Sequence, residues 1–206
     1  MLYPFFRLFF RALFRLVWNW RVEGLENFPT SGPVVVIANH ISLWDPIAVG
    51  SALPRQVHFM AKEELFHYPL LGNVLNRLGA FPIKRGQPDR SAIRRALEVL
   101  EKGKVLGLFP EGTRSKTGEL QKPHPGAAMI ALKAGVPVVP VACQGTSGLW
   151  KKVFMRGAVL IKIGKPTCYD EYCDQKLSAK CLETVSQDIM KQVALLMEAE
   201  ESRKDA

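Results

Sequence analysis

A histidine and an aspartate five residues apart are the part of this sequence best suited to chemistry. His40 and Asp45 lie in the heptapeptide NHISLWD at 39–45, directly after the apolar run VVVIA at 34–38. This order predicts a buried strand, a tight loop and then a helix. On such a loop the carboxylate can hold one imidazole nitrogen while the other nitrogen accepts a proton. Because no serine or cysteine stands where a covalent nucleophile is expected, the pair indicates a general base that activates a hydroxyl group.

Asp45 also has a purely structural interpretation. An aspartate at the N-cap of a helix, followed by a proline such as Pro46 at the first helical position, is a strong helix start. We expect Asp45 to have this capping role. The two roles are compatible, since a carboxylate has two oxygens and several lone pairs. Taken alone, His40 and Asp45 are weak evidence for a general base, and the interpretation depends on the motifs that follow them.

Composition and charge narrow the classes of partner. The chain has 206 residues, of which 48% are hydrophobic, and a formal net charge of +9. This length suits one domain, or one domain with an appendage. The positive charge indicates nucleic acid, anionic lipid or a phosphorylated substrate as the partner. No zinc finger, basic zipper or aromatic RNA-binding motif is present, so nucleic acid is not expected.

The cysteines and histidines do not indicate a metal site. Cys143, Cys168, Cys173 and Cys181 form no C-x-x-C pair, and no histidine lies near the last three. We therefore expect no zinc and reduced thiols in a cytosolic setting. A metal hydrolase that uses His40 and Asp45 is poorly supported, because no second pair of histidines accompanies them.

The first 20 residues, MLYPFFRLFFRALFRLVWNW, predict a helix that lies in a membrane interface. Arg7, Arg11 and Arg15 recur every four residues and form one narrow stripe on a helix, while apolar and aromatic side chains cover the rest. Trp18 and Trp20 suit the level of the lipid headgroups. Such a helix would direct its arginines toward lipid phosphates.

Three other interpretations of this segment compete. A spanning helix would carry Arg11 near its middle, at a cost of a few kcal/mol. A secretory signal would have its charges before the apolar run and small residues after it, which this segment lacks. A helix that covers the protein's own core remains an alternative. No later segment is long enough to span a bilayer, so we expect a monotopic protein on the cytoplasmic face of the cell membrane.

Beyond residue 30, short apolar runs alternate with helical patterns. Strands are predicted over 34–38, 57–61, 79–83, 105–109, 136–142 and 158–163, and helices over 45–53, 66–78, 91–102, 126–134 and 177–197. Ser91 is expected to cap the helix 91–102, and Pro82 indicates that 79–83 lies at a sheet edge. The alternation predicts a single α/β domain with a largely parallel central sheet flanked by helices.

Three polar loops follow strands of this predicted sheet. His40 follows the first strand, Lys84 and Arg85 follow 79–83, and FPEGTRS at 109–115 follows 105–108. Ligands bind outside the carboxyl ends of parallel strands, so we expect the three loops at one edge.

The residues in these loops suit an anionic ligand. Arg114 offers a planar fork of donors matched to phosphate, and Thr113 is a hydroxyl donor. Gly112 permits a sharp turn and a close approach to a ligand. Glu111 is expected to accept a hydrogen bond from a substrate hydroxyl or to pair with Arg114. The alternatives are a solvated loop at Lys84 and Arg85 and a purely structural ion pair between Glu111 and Arg114.

Four blocks in order resemble the glycerolipid acyltransferase family, specifically its 1-acylglycerol-3-phosphate acyltransferases. They are NHxxxxD at 39–45, GAFPIKR at 79–85, FPEGTRS at 109–115 and VPVVPV at 136–141. The third block is highly specific, and the similarity runs from Trp20 to Ile163. Pro82 departs from the family pattern, since a bulkier apolar residue is common there, which bears on the local backbone of that block.

The resemblance implies an activity. It implies transfer of an acyl chain from a thioester of coenzyme A or acyl carrier protein to the free sn-2 hydroxyl of 1-acyl-sn-glycerol 3-phosphate (lysophosphatidate), giving phosphatidate. A different lysophospholipid acceptor, or a non-catalytic basic module that binds anionic lipid, are the alternatives. The resemblance implies no cofactor and no metal.

The resemblance also implies roles for individual residues. His40 would be the general base and Asp45 would orient it. The substrate-binding residues would be Lys84, Arg85, Glu111, Gly112, Thr113 and Arg114. The chain would then divide into a membrane-interface helix over 1–22, an acyltransferase domain over 23–198 and a polar tail over 199–206.

Overall fold

A computed structural model of the chain describes residues 2–87, 89–153, 159–172 and 177–198. Cys173, the first residue of the predicted strand 158–163 and the predicted tail 199–206 lie outside the described residues. The strands are β1 (Arg21–Glu23), β2 (Val34–Ala38), β3 (Val57–Lys62), β4 (Phe81–Ile83), β5 (Val105–Leu108), β6 (Val138–Gln144) and β7 (Leu160–Ile163). The α-helices are α1 (Leu2–Trp18), α2 (Asp45–Ala52), α3 (Pro69–Arg77), α4 (Arg90–Glu101), α5 (Gly126–Ala134) and α6 (Ala179–Glu198).

The described strands form one sheet in the order β1-β7-β6-β2-β5-β3-β4. All neighbours are parallel except β6 and β7, which pair antiparallel. The predicted α/β domain with a largely parallel sheet is therefore confirmed. The expectation that Pro82 marks an edge is also confirmed, because β4 is the last strand on its side.

Strand β2 lies at the centre of the sheet, and all five of its residues are buried. Its continuous β-branched run is explained by burial on both faces, which an alternating pattern would not permit. Val34, Val36 and Ala38 pack on the face covered by α1 and α2. Val35 and Ile37 pack on the opposite face, against α4, α5 and α6. The strand therefore anchors the loop of His40 between two cores.

Helix α1 packs on α2 and covers part of the first core. Phe14 and Trp18 are buried, and the Trp18 indole N–H donates to the Leu149 carbonyl at 2.8 Å. The outer face of the same helix is also apolar, and its exposed large side chains include Phe5 and Leu8. Packing over the core and an apolar outer surface thus occur together in one helix.

The segment predicted over 1–22 extends past this helix. It includes the first two residues of β1, which pairs with β7 from Arg21 opposite Leu160. No helix in the described part of the chain is both long and apolar enough to cross a membrane.

The predicted cap of α4 was wrong, and one strand was not predicted. Helix α4 is capped by Asp89, whose carboxylate accepts from the backbone N–H groups of Ser91 and Ala92, each at 3.0 Å. The Ser91 hydroxyl is not a cap, since it donates to Asp89 at 2.6 Å. Strand β1 was not predicted at all, because three residues with a single apolar side chain carry no strand pattern.

Candidate active site

The side chains of His40 and Asp45 meet in the loop after β2. The distance from His40 Nδ1 to Asp45 Oδ2 is 2.8 Å, and both side chains are buried. Asp45 Oδ2 also accepts from the backbone N–H groups of Ile41 at 2.6 Å and Ser42 at 2.7 Å. The loop is folded around the carboxylate, which assigns the imidazole hydrogen to Nδ1 and leaves the lone pair on Nε2. In this arrangement Nε2 can accept a proton while the Asp45 carboxylate holds Nδ1.

Asp45 does not cap α2, so the capping role expected from the sequence is wrong. Asp45 is the first helical residue, and the preceding Trp44 occupies the N-cap with no side-chain hydrogen bond. The carboxylate points back toward the loop instead of forward along the helix, because three donors of that loop surround it. Its other oxygen, Oδ1, accepts from the Thr146 hydroxyl and from Cys143 Sγ.

The FPEGTRS loop after β5 docks on the loop of His40. The ring of Phe109 stacks on the His40 imidazole with centroids 4.3 Å apart. The backbone N–H of Ser115 donates to the His40 carbonyl at 2.7 Å. Two of the three loops expected at one sheet edge are thus in direct contact, as the parallel order of β2 and β5 predicts.

Glu111 supports the backbone of His40, a function not foreseen from the sequence. Its Oε1 accepts from the His40 N–H at 2.7 Å and its Oε2 from the Gln121 N–H at 3.2 Å. Among the described residues it forms no ion pair with Arg114. Burial raises the pKa of Glu111, and the two backbone N–H donors counteract only part of that effect. Glu111 is therefore a buried residue that joins the backbone of the His40 loop to the backbone at Gln121.

Gly112 is required by geometry. Its φ is +66°, a left-handed conformation that L side chains rarely adopt, and a Cβ would lie 2.9 Å from His124 Cδ2. The His124 backbone N–H donates to the Pro110 carbonyl at 2.8 Å. His124 is thus part of this loop's packing, and no spacing in the sequence indicated it.

The basic residues of the second and third blocks occupy different positions. Arg114 is exposed on the third loop, as is its neighbour Thr113. Lys84 and Arg85 are exposed on the second, and Lys84 Nζ lies 4.0 Å from Glu63 Oε1. Desolvation and, second, the charge of Arg114 lower the pKa of Arg85. Arg85 and Arg114 are therefore electrostatic neighbours, and neither forms an ion pair within the described chain. Two guanidinium groups in this state favour a bound anion.

An apolar cavity of about 430 Å³ extends from this centre. His40, Phe109 and Arg85 contribute to its wall, and β3 lines it through Val57 and residues 59–62. The remaining wall is mainly apolar and comes from α1, α2 and α3, and it includes Phe6, Phe10, Ile47, Leu71, Val74 and Leu75. No motif marked this cavity, because its wall combines α1 and Phe109 with the consecutive elements α2, β3 and α3.

Arg7 is an exception in the cavity wall. It was expected to share one lipid-facing stripe with Arg11 and Arg15. Instead it lines the cavity, and its Nε is buried without a hydrogen-bond partner among the described residues. Desolvation and, second, the charge of Arg11 lower its pKa. The three arginines of α1 are thus not equivalent.

Comparison with known proteins identifies the family. The sequence model of the family named Acyltransferase matches residues 19–144, which include the His40 loop, Arg85 and the third loop.

The chain belongs to the acyltransferase family.

Individual relatives agree with that assignment. This acyltransferase is 37% identical over 147 residues to the 1-acyl-sn-glycerol-3-phosphate acyltransferase of Bacillus subtilis, and the match covers 71% of this chain and 72% of the relative. It is 34% identical to the chloroplastic 1-acyl-sn-glycerol-3-phosphate acyltransferase LPAT1 of Arabidopsis thaliana, over 80% of this chain and 45% of the relative. The chain thus spans less than half of the plant relative. The crystal structure of the 1-acyl-sn-glycerophosphate acyltransferase PlsC from Thermotoga maritima superposes with a TM-score of 0.75 at 31% identity, covering 96% of this chain and 79% of that one.

Proposed function

We propose that this acyltransferase moves an acyl chain from a thioester to the sn-2 hydroxyl of 1-acyl-sn-glycerol 3-phosphate, forming phosphatidate. The observation that carries the proposal is the position of His40. Its ring is held by Asp45 and lines an apolar cavity whose wall also contains Arg85. The names of the relatives support lysophosphatidate as the acceptor. Coenzyme A and acyl carrier protein are both donors that this chemistry accepts.

His40 acts on the acceptor hydroxyl. Nε2 accepts the hydroxyl proton as the oxygen attacks the thioester carbonyl, so that a C–O bond forms and the C–S bond then breaks. The proton passes from His40 to the departing thiolate. Asp45 stabilises the imidazolium formed in between through Nδ1. General-base assistance of this kind contributes about 10²–10⁴ in rate.

Arg85 and Arg114 would hold the acceptor phosphate. A guanidinium presents paired donors that match two phosphate oxygens. The mutual repulsion of the two arginines, which contributes to the lowered pKa of Arg85, would be relieved by a bound dianion. Lys84 would add positive charge from the exposed side of its loop.

The cavity along β3 would hold an acyl chain. β3 has six residues, and at a rise of about 3.3 Å each it spans about 20 Å. The hydrocarbon core of a bilayer, two chains deep, is about 30 Å thick, so one chain needs about 15 Å. The β3 wall of the cavity is therefore long enough to lie along the chain of a membrane lipid.

The proposal also places the enzyme on the cytoplasmic face of the cell membrane, as a monotopic protein. The outer face of α1 supports this, since Phe5 and Leu8 are each 70% exposed there. Apolar side chains on the outside of a helix that also carries arginines are typical of binding in the interface.

A thiol-release assay with His40→Ala tests the proposed reaction. We expect kcat to fall at least about 100-fold, because the base is lost, while circular dichroism stays that of the wild type. His67→Ala is the matched control, since His67 is an exposed histidine on the short 3-10 turn Glu63–His67. The assay is run with lysophosphatidate and with lysophospholipids whose phosphate carries a larger headgroup, using coenzyme A and acyl carrier protein donors. Retained turnover in folded His40→Ala would refute the proposal, and faster turnover of another acceptor would refute lysophosphatidate.

A further inference from the structure

The Asp45 carboxylate also accepts hydrogen bonds from residues at the end of β6 and in the loop after it, which belong to none of the four sequence blocks. Its Oδ2 faces the loop of His40, whereas its Oδ1 accepts from the Thr146 hydroxyl and, at 3.5 Å, from Cys143 Sγ. Thr146 and Cys143 are both fully buried. Both lie beyond the fourth sequence block, and Thr146 lies beyond the segment matched by the family model.

The backbone brings Thr146 to this position. β6 ends at Gln144, and Gly145, with φ of +81°, turns the chain toward Asp45. Asn39 joins the end of β2 to β6, because its amide accepts from the Cys143 N–H at 2.7 Å and donates to the Cys143 carbonyl at 2.9 Å. The Thr146 loop is therefore fixed relative to the loop of His40 by strand pairing and by this double hydrogen bond.

A carboxylate that is bound through one oxygen only can rotate about its Cβ–Cγ bond. A donor on Oδ1 stops that rotation, so that Oδ2 stays directed at His40 Nδ1. A buried carboxylate oxygen without a donor also carries an uncompensated desolvation cost. Burial first, and the charge of Asp45 second, raise the pKa of the Cys143 thiol well above its usual range, so the thiol stays protonated and donates.

We infer that Thr146 is a positioning residue for acyl transfer: its hydroxyl fixes the Asp45 carboxylate in the orientation that holds the His40 imidazole. Cys143 is the weaker donor on the same oxygen. The inference rests on the proposed function in one respect, because it takes His40 as the base. It adds a residue 101 positions away from Asp45 in the sequence to the catalytic arrangement.

Two substitutions separate the hydroxyl of Thr146 from its bulk. Thr146→Val keeps the shape and removes the donor, and Thr146→Ser keeps the donor. We expect Thr146→Val to lower kcat about 10–100-fold, the range seen when an outer-shell partner of a functional group is lost. KM for lysophosphatidate should stay within about twofold, since Thr146 does not line the cavity. Thr146→Ser should recover kcat to near the wild-type value.

Thr167→Val is the matched control. The Thr167 hydroxyl donates to Gln192 Oε1 at 3.1 Å, near the start of β6 and away from Asp45. Removing it deletes an equivalent hydrogen bond, and we expect kcat to be unchanged. Should Thr146→Val not fold, Thr146→Ala, which introduces no methyl group against Oδ1, is expected to lower kcat in the same way.

A measurement that does not depend on turnover distinguishes this inference from the proposed function. The His40 Nδ1–H proton is expected to give a downfield NMR resonance, absent in His40→Ala, that exchanges faster with water in Thr146→Val and not in Thr167→Val. Altered exchange together with an active His40→Ala would refute the proposed function, and Thr146 would still be the residue that orients Asp45 and the His40 ring. Wild-type kcat and wild-type exchange in folded Thr146→Val or Thr146→Ala would overturn the inference. Equal losses in Thr146→Val and Thr146→Ser would overturn it as well.

Discussion

Two buried carboxylates hold His40 from different sides. Asp45 accepts from its imidazole, and Glu111 accepts from its backbone N–H. The sequence predicted Asp45 as the partner of His40 and Glu111 as a contact for a substrate hydroxyl or for Arg114. In the structure both carboxylates have their oxygens occupied by donors of the protein itself. The histidine is therefore fixed in both side chain and backbone before any substrate binds, which reduces the reorganisation needed for catalysis.

The pH dependence of stability should reveal the burial of Glu111. Its pKa is raised in the folded protein, so the folded state binds its proton more tightly than the unfolded state. The contribution of this group to stability is then fully present below its ordinary pKa of 4.5 and is lost as the pH rises through the higher folded value. We expect the unfolding free energy of the wild type, relative to Glu111→Gln, to decrease from pH 4.5 to pH 7.

Chemical denaturation of both proteins at several pH values measures this difference. Glu119→Gln is the control, since Glu119 is exposed on the loop that follows, and its curve should run parallel to that of the wild type. An unfolding free energy of the wild type that rises with pH relative to that of Glu111→Gln would contradict the assignment.

At the scale of the elements, the sequence predicts whether a segment is a strand or a helix better than it predicts which residue caps the helix. The β-branched run of β2 and the apolar periodicity of α4 and α6 are strong because burial on a sheet or along a helix face demands them. Caps depend on which of several nearby polar side chains reaches the backbone, and a pattern does not decide that. Ser91 and Asp45 both suited a cap, but Asp89 caps α4, and Asp45 is drawn into the loop of His40 by its three donors there.

Asp89→Ala should weaken both α4 and the loop before it. The carboxylate accepts from Ser91 N and Ala92 N in the helix and from Lys84 N at 2.9 Å in the loop of the second block. Loss of an N-cap costs about 1 kcal/mol, which corresponds to a fall in Tm of about 2–4 °C for a domain of this size. Because Lys84 and Arg85 lie in the loop that is released, KM for lysophosphatidate should rise as well.

Ser91→Ala tests whether the cap has been assigned to the right residue. It removes only a side-chain bond to Asp89 and should leave Tm within about 1 °C, as surface changes usually do. The hydrogen bonds from Lys84, Ser91 and Ala92 lower the pKa of Asp89 to about 2. Its stabilising effect is thus present above pH 4 and declines as the pH falls toward 2. A larger loss of Tm in Ser91→Ala than in Asp89→Ala would contradict the assignment.

At the scale of the whole molecule, the parallel sheet was the predictable part of the site and the cavity was not. Parallel strands bring their carboxyl ends to one edge, so His40 and the third loop could be placed together from the order of elements alone. Thr146 and the cavity wall depend on contacts between residues far apart in the chain, and on which side chains of α1 turn inward. Arg7 illustrates this, because its spacing with Arg11 and Arg15 suggested one common stripe.

The two sides of the sheet should differ in their affinity for lipid. Helix α1 lies on the face of the first core and exposes Phe5 and Leu8, whereas α6 lies on the opposite face and exposes Leu195. Burying a leucine or phenylalanine side chain is worth about 1.5–3 kcal/mol. The double substitution Phe5→Asp with Leu8→Asp should therefore weaken binding to vesicles of phosphatidylglycerol and phosphatidylcholine at least about 100-fold. Leu195→Asp adds a charge on the other face and should bind as the wild type does.

Vesicle sedimentation at two salt concentrations separates the apolar contribution from the electrostatic one. The net charge of +9 should favour anionic vesicles, and raising the salt from 0.1 M to 1 M shortens the Debye length from about 10 Å to about 3 Å. We expect wild-type binding to weaken with salt but to persist, because the apolar face of α1 is not screened. Equal loss of binding in the α1 and α6 variants, or complete release of the wild type by salt, would show that α1 does not insert into the lipid and that charge alone holds the protein there.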